Sequence, residues 1–129
     1  MGERGFGTMT FLASIAGITG NGAIGTYGIT KGANAQLAKN MAIEWGPKGI
    51  RSNAIAPGLI KTDFAEALWK NPKLAEATIN STPLRRLGEP DDIAGIAVFL
   101  ASPAGAFING QTIVADGGVT IADRLVGAH

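Results

Sequence analysis

Three consecutive segments constrain this chain most: a short apolar run, a long helical stretch and a second short apolar run. Met9-Thr10-Phe11-Leu12-Ala13 reads as a buried strand, bounded roughly by Thr8 and Ala13. A helix opens between Ile24 and Tyr27 and runs to about Trp45, where Gly46-Pro47-Lys48-Gly49 supplies both breakers. Ile50 to Ala56 reads as a second strand, closed by Pro57-Gly58. Strands separated by a helix pair in parallel through a right-handed crossover. On the helix, small residues at Gly28, Gly32, Ala35, Ala38 and Ala42 permit close approach of another element. Ala33, Leu37, Met41 and Trp45 form an apolar stripe. Two apolar faces predict burial on both sides, one against the sheet and one against a partner subunit.

Downstream, Thr62 or Asp63 can cap a helix from Phe64 to about Lys70, with Glu66 at capping-box spacing from Asp63. Asn71-Pro72 opens another helix through Ala77, and Thr82-Pro83 breaks it. Pro90 opens a strongly apolar helix that Ser102-Pro103 stops. Asp91 and Asp92 in its first turn suit the positive end of the helix dipole. Arg85 and Arg86 read as a solvated or interface pair. Gln111 to Ala115 is the last strand, before Asp116-Gly117-Gly118, and the tail from Asp123 is expected to fray. The predicted fold class is α/β: a partial Rossmann-type, doubly wound parallel sheet of about three strands, one domain over residues 1–129. Its first strand, the most apolar, is expected to be central, with no partner on one side.

Composition narrows the functions. Of 129 residues 46% are apolar and 16% charged, which excludes a disordered tail. Eleven Lys and Arg against ten Asp and Glu leave +1, so nucleic acid and anionic membrane are not expected partners. No cysteine is present and the single histidine is terminal, so no metal site is expected. No run is long enough for a membrane span, and a cytoplasmic protein is expected. The chemistry-bearing groups are Ser14 at the end of the first strand, Tyr27 thirteen residues on, and Lys31 one helical turn after Tyr27. A hydroxyl, a phenol and an ammonium can thus converge at the C-terminal end of a strand, where open α/β sheets bind ligands. A Tyr four residues before a Lys carries little weight by itself.

The ordered series of motifs carries more. Ser14-Ile15-Ala16-Gly17, Tyr27-Gly28-Ile29-Thr30-Lys31, the strand ending in Pro57-Gly58, Pro83 through Ala94, and Asn109 through Gly118 together resemble the C-terminal half of a short-chain dehydrogenase/reductase. The resemblance runs from about Gly5 to Val119. It implies an NAD- or NADP-dependent oxidoreductase that transfers hydride between nicotinamide and a small-molecule carbonyl or alcohol. Tyr27 would be the general acid/base, Lys31 would favour its phenolate and hold the nicotinamide ribose, and Ser14 would bind the substrate oxygen. Tyr27, Lys31, Pro57, Gly58, Ile60 and Thr62 would face the cofactor. The family's subunit pairing implies a homo-oligomer, a dimer or tetramer. The family's first βαβ unit, with its glycine-rich pyrophosphate turn, has no counterpart before Ser14. The stretch Gly17 to Gly25 is expected to join strand to helix without the GxGxxG order of a pyrophosphate turn, and so not to substitute for it. Met1 falls where an internal methionine of a longer member would sit, which suggests a truncated chain. The alternative expectation is a truncated, non-catalytic fragment that folds or oligomerises without binding cofactor. The region 64–80, with Phe64, Leu68, Trp69 and Leu74, suits a partly apolar substrate without identifying it.

Overall fold

The strand Ile50–Pro57 is buried at nearly every position, because it has a strand on each side and a helix on each face. The computed structural model describes residues 1–20, 22 and 25–123. In chain order its main elements are β1 (Gly7–Leu12), α1 (Gly25–Trp45), β2 (Ile50–Pro57), α2 (Glu66–Trp69), α3 (Pro72–Ser81), α4 (Pro90–Ala101) and β3 (Thr112–Ala115). The sheet is parallel, in the order β1-β2-β3, with Leu12 opposite Ile55 and Ile55 opposite Ile113. The α/β class and the parallel three-strand sheet are as expected. The central place belongs to β2, however, and β1 lies at an edge with one partner. The physical reason lies in the side chains. Ala54, Ile55 and Ala56 are fully buried and present small or apolar surface to both faces, whereas β1 carries Thr8 and Thr10 and leaves Leu12 54% exposed.

Strand side chains alternate between faces. Ala54 and Ala56 pack with Ala38 of α1, together with Ala13 and Phe11. Arg51, of the opposite parity, reaches the carbonyl of Ser102 at the end of α4, 3.3 Å away. The two long helices therefore cover opposite faces of β2. Alanine on both elements sets how near α1 can come: Ala38 is 1% and Ala42 7% exposed. The outer surface of α1 stays open, with Ile29 and Ile43 both more than 70% exposed.

Two asparagines stitch β2 to the segment before β3. Asn53, fully enclosed, donates from Nδ2 to Ile108 O (3.0 Å) and accepts at Oδ1 from Gln111 N–H (3.0 Å). Asn109 accepts from Ser52 N–H at 2.9 Å and donates to Ala42 O of α1 at 3.4 Å. Gln111 thus bonds to a side chain, and β3 begins one residue later than expected. The neighbouring Ser52 Oγ is buried with no hydrogen-bond partner.

The connections differ from expectation in detail. In place of a helix from Phe64, only the four-residue α2 forms. Thr62 Oγ1 accepts from Ala65 N–H at 3.2 Å, the cap bond its spacing offers, but the residues after it close through i+3 bonds, Ala65 N–H to Thr62 O and Glu66 N–H to Asp63 O, and regular helix begins only at Glu66. Asp63 contributes its carbonyl to Glu66 N–H rather than a side-chain cap. Helix α3 starts on Asn71 as expected, but it runs four residues beyond Ala77. Hydroxyls of Thr78, Ser81 and Thr82 bond back onto carbonyls of its last turns. Arg86 is no loose surface cation: it forks onto Asp92 at 2.8 and 3.1 Å. Asp92 also accepts from Glu89 N–H at 2.7 Å, which closes the first turn of α4. Residues 124–129, expected to fray, and residues 21, 23 and 24 of the glycine-rich loop lie outside the described residues.

The Arg86 guanidinium and the Glu89 N–H bring the Asp92 carboxyl down to about 2. A carboxyl depressed on folding contributes stability above its unfolded value, near ~4, and loses it as pH falls through the folded one. In acid titrations followed by circular dichroism, the native chain should lose stability between about pH 4 and pH 2, a loss that Asp92→Asn lacks. Both groups are exposed, so added salt should shrink the difference. Equal acid slopes would remove this pair as the cause. Denaturant unfolding should separate the two buried polar neighbours on β2. Asn53→Ala leaves two backbone groups unpaired and should cost about 2–4 kcal/mol, whereas Ser52→Ala removes a hydroxyl that bonds nothing and should change stability by less than about 1 kcal/mol.

Candidate active site

Ser14 caps the short turn Ile15–Gly17 beyond β1, its Oγ accepting from Ala16 N–H at 3.1 Å. That turn lies directly on α1. A Cβ placed on Gly17 would come within 2.6 Å of the Gly32 nitrogen, and one on Gly28 within 2.5 Å of the Ala16 oxygen. These glycines let backbone pack on backbone: a side chain at Gly17 or Gly28 would push the Ser14 turn off the helix, while one at Gly32, 3.3 Å from the Gly17 oxygen, needs only a few tenths of an ångström of give. Tyr27 and Lys31 occupy the same stretch of α1. Lys31 Nζ lies 5.5 Å from the centroid of the Tyr27 ring, and Tyr27 is 36% exposed. Lys31 also donates to Leu12 O at 3.4 Å, which ties the ammonium to the end of β1. Asn34, one turn further along, donates to the same oxygen at 3.0 Å. Asn34 was absent from the sequence-based set, although its i+3 spacing from Lys31 marks it as a neighbour on that face.

The parallel register brings Pro57, the first of the second group of expected residues, to the level of Ser14. Leu12 faces Ile55, so continuing the register by two residues sets Ser14 level with Pro57, on strands about 4.8 Å apart. Gly58 packs against Asp116, where a Cβ would meet its Cα at 3.0 Å. Ile60 bridges to Gly88, and Gly58 and Ile60 line a cavity of about 220 Å³ with Thr82, Arg86 and Asp116. Ser14, Tyr27 and Lys31 do not line that cavity. Burial pushes the Asp116 carboxyl up, but the N–H groups of Thr120 (2.8 Å) and Gly118 (2.9 Å) outweigh it and hold the group below its ordinary value. Trp69, expected only as apolar lid surface, donates from its indole to Thr62 O at 2.7 Å and fixes the turn that carries Thr62.

The donors left over suit an oxygen-rich ligand at this end of the sheet. Lys31 gives one of its three hydrogens to Leu12, and the Thr62 hydroxyl, which accepts from Ala65, keeps its own. Gly20, Gly22 and Gly25 do spell GxGxxG, the order of a dinucleotide-binding turn. That motif works when its first glycine directly follows the strand. Here β1 ends at Leu12 and the Ile15–Gly17 turn intervenes. Among the described residues no group of His, Asp or Glu is placed to hold a metal, and no helix is long and apolar enough to cross a membrane.

Residues 1–120 match the family model described as enoyl-(acyl carrier protein) reductase. A tropinone reductase homologue of Arabidopsis thaliana is 45% identical over 117 residues, covering 91% of this chain and 38% of its own length. A gluconate 5-dehydrogenase from Burkholderia cenocepacia, solved with NADP and tartrate, superposes with a TM-score of 0.90 at 37% identity, over 95% of this chain and 48% of its own. A 7α-hydroxysteroid dehydrogenase, solved with NADH and 7-oxo glycochenodeoxycholic acid, gives 0.87 at 39% identity, over 92% and 46%. The chain thus spans less than half the length of these relatives. Its ordered motifs, its three parallel strands and this match over nearly all its residues place it together with them: the chain belongs to the short-chain dehydrogenase/reductase family.

Proposed function

We propose that this chain carries the catalytic residues of an NAD(P)-dependent oxidoreductase acting on a small carbonyl or alcohol substrate. The observation that supports this most is the pairing of Lys31 with the Tyr27 ring beside the Ser14 turn, at the C-terminal end of β1. A nicotinamide cofactor, when bound, would supply the hydride for the carbonyl carbon in the reductive direction. Tyr27 gives its phenolic proton to the carbonyl oxygen, and in the oxidative direction its phenolate takes the alcohol proton. The Lys31 ammonium stabilises that phenolate and gives a hydrogen to the ribose. Ser14 donates from Oγ to the substrate oxygen as charge develops there. Pro57 and Gly58 form the floor at the end of β2. Ile60 would offer backbone to the carboxamide side of the nicotinamide, and Thr62 would offer its hydroxyl to the pyrophosphate. Phe64, Leu68 and Leu74, all exposed, make an apolar cover for the substrate.

A second reading, association with another copy of the chain, is favoured by the apolar surface left open. Val98 and Phe99 of α4 are 68% and 41% exposed, Phe107 beyond it is fully exposed, and β1 presents an unpaired edge.

Joined behind the preceding half of one of the plant relatives, the chain should reduce a ketone with NADPH or NADH. Tyr27→Phe should then lower kcat by about 10²–10⁴-fold, and retained turnover would remove Tyr27 from the role. The chain alone should not saturate with NADPH at micromolar concentration in a fluorescence titration, and tight binding would mean that it holds the dinucleotide unaided. Light scattering should return a mass above that of one chain, and a stable monomer would count against the second reading.

A further inference from the structure

Leu12 ends β1, and its carbonyl oxygen lies outside the sheet ladder. Across a planar trans peptide, one residue's C=O and the next residue's N–H point in opposite directions. Ala13 N–H donates to Ile55 O on β2 at 2.8 Å, so Leu12 O faces away from β2. Both groups that reach it come from α1: Asn34 Nδ2 at 3.0 Å and Lys31 Nζ at 3.4 Å. A carbonyl oxygen has two lone pairs, and these donors fill them. The amide makes the shorter bond, so Asn34 alone suffices to satisfy the strand end. With Asn34 in place, Lys31 can leave without creating an unpaired carbonyl.

We propose that Asn34 is a positioning residue for Lys31: by holding the Leu12 carbonyl, it frees the ammonium to turn toward Tyr27 and a cofactor ribose, a role that rests on the reading of Lys31 given above. Take the amide away and Lys31 becomes the sole donor to an otherwise bare oxygen. A charged donor binds such an acceptor more strongly than a neutral one, so the ammonium stays there. In this role Asn34 acts through the second lone pair of Leu12 O.

Competitive acetylation of the intact chain, read peptide by peptide by mass spectrometry, measures access to the Lys31 amine. Lys39, exposed on the same helix, is the internal reference. In Asn34→Leu and in Asn34→Ala the Lys31 rate relative to Lys39 should fall about three- to tenfold, since both remove the donor while differing in bulk. A purely structural role predicts the reverse, because a loosened helix exposes Lys31 and speeds its labelling. An unchanged or faster rate in either variant overturns the proposal. The measurement needs no turnover, so a failure of the catalytic reading in Tyr27→Phe would leave this result standing, and the converse also holds.

Discussion

The closeness of α1 to the sheet is the constraint on which everything else depends. Ala38 on the helix packs with Ala54 and Ala56 on β2 and with Ala13 at the end of β1, and Ala42, one turn further along, is buried as well. Glycines then carry the same closeness to the turn after β1, where Gly17 lies on Gly32 and Ala16 on Gly28. A larger residue in either layer would lift the helix, and Tyr27 and Lys31 would rise with it. Small residues thus lose apolar area that Leu or Ile would bury, and in return they set a distance. Packing of this kind tolerates little change in volume.

The buried polar groups divide the remaining work. Asn53 and Asn109 satisfy backbone groups where β2 hands over to the segment before β3, a place where ladder bonds are missing. Asp116 does the same for the Gly118 and Thr120 N–H groups after β3. Arg86 and Asp92 lock the connector onto α4 from the solvent side. Each carries backbone across an end where a strand or helix stops supplying partners, as enclosed polar groups must.

Much of this was legible in the residues. The breakers Gly46-Pro47 and Ser102-Pro103 ended helices where local chemistry said they would, and the Tyr27–Lys31 interval survived as a real proximity. Other features needed three dimensions. The rank of β1 and β2 in the sheet depends on which strand finds two neighbours, and apolar content alone pointed to the wrong one. The asparagine stitches join residues more than fifty apart, which no local pattern reveals. The helix after Phe64 starts late although Thr62 offers its cap, because the first turn closes through i+3 bonds, a choice of geometry that propensity does not resolve. Asn34 was within reach of helical spacing, but nothing in sequence says that a strand's last carbonyl needs a donor.

The register that sets Ser14 level with Pro57 has a further consequence. Ser14, Tyr27, Lys31 and Pro57 all ride on the single unit β1–α1–β2, whose parts are held to one another by short contacts and strand pairing. The α2–α3 segment follows β2 on connections of its own, closed by the Ile60–Gly88 bridge across its ends and by the Trp69–Thr62 bond within it. The two can therefore drift separately over evolutionary time. One segment can be lengthened, shortened or re-lined while the other keeps its ångström-scale spacing.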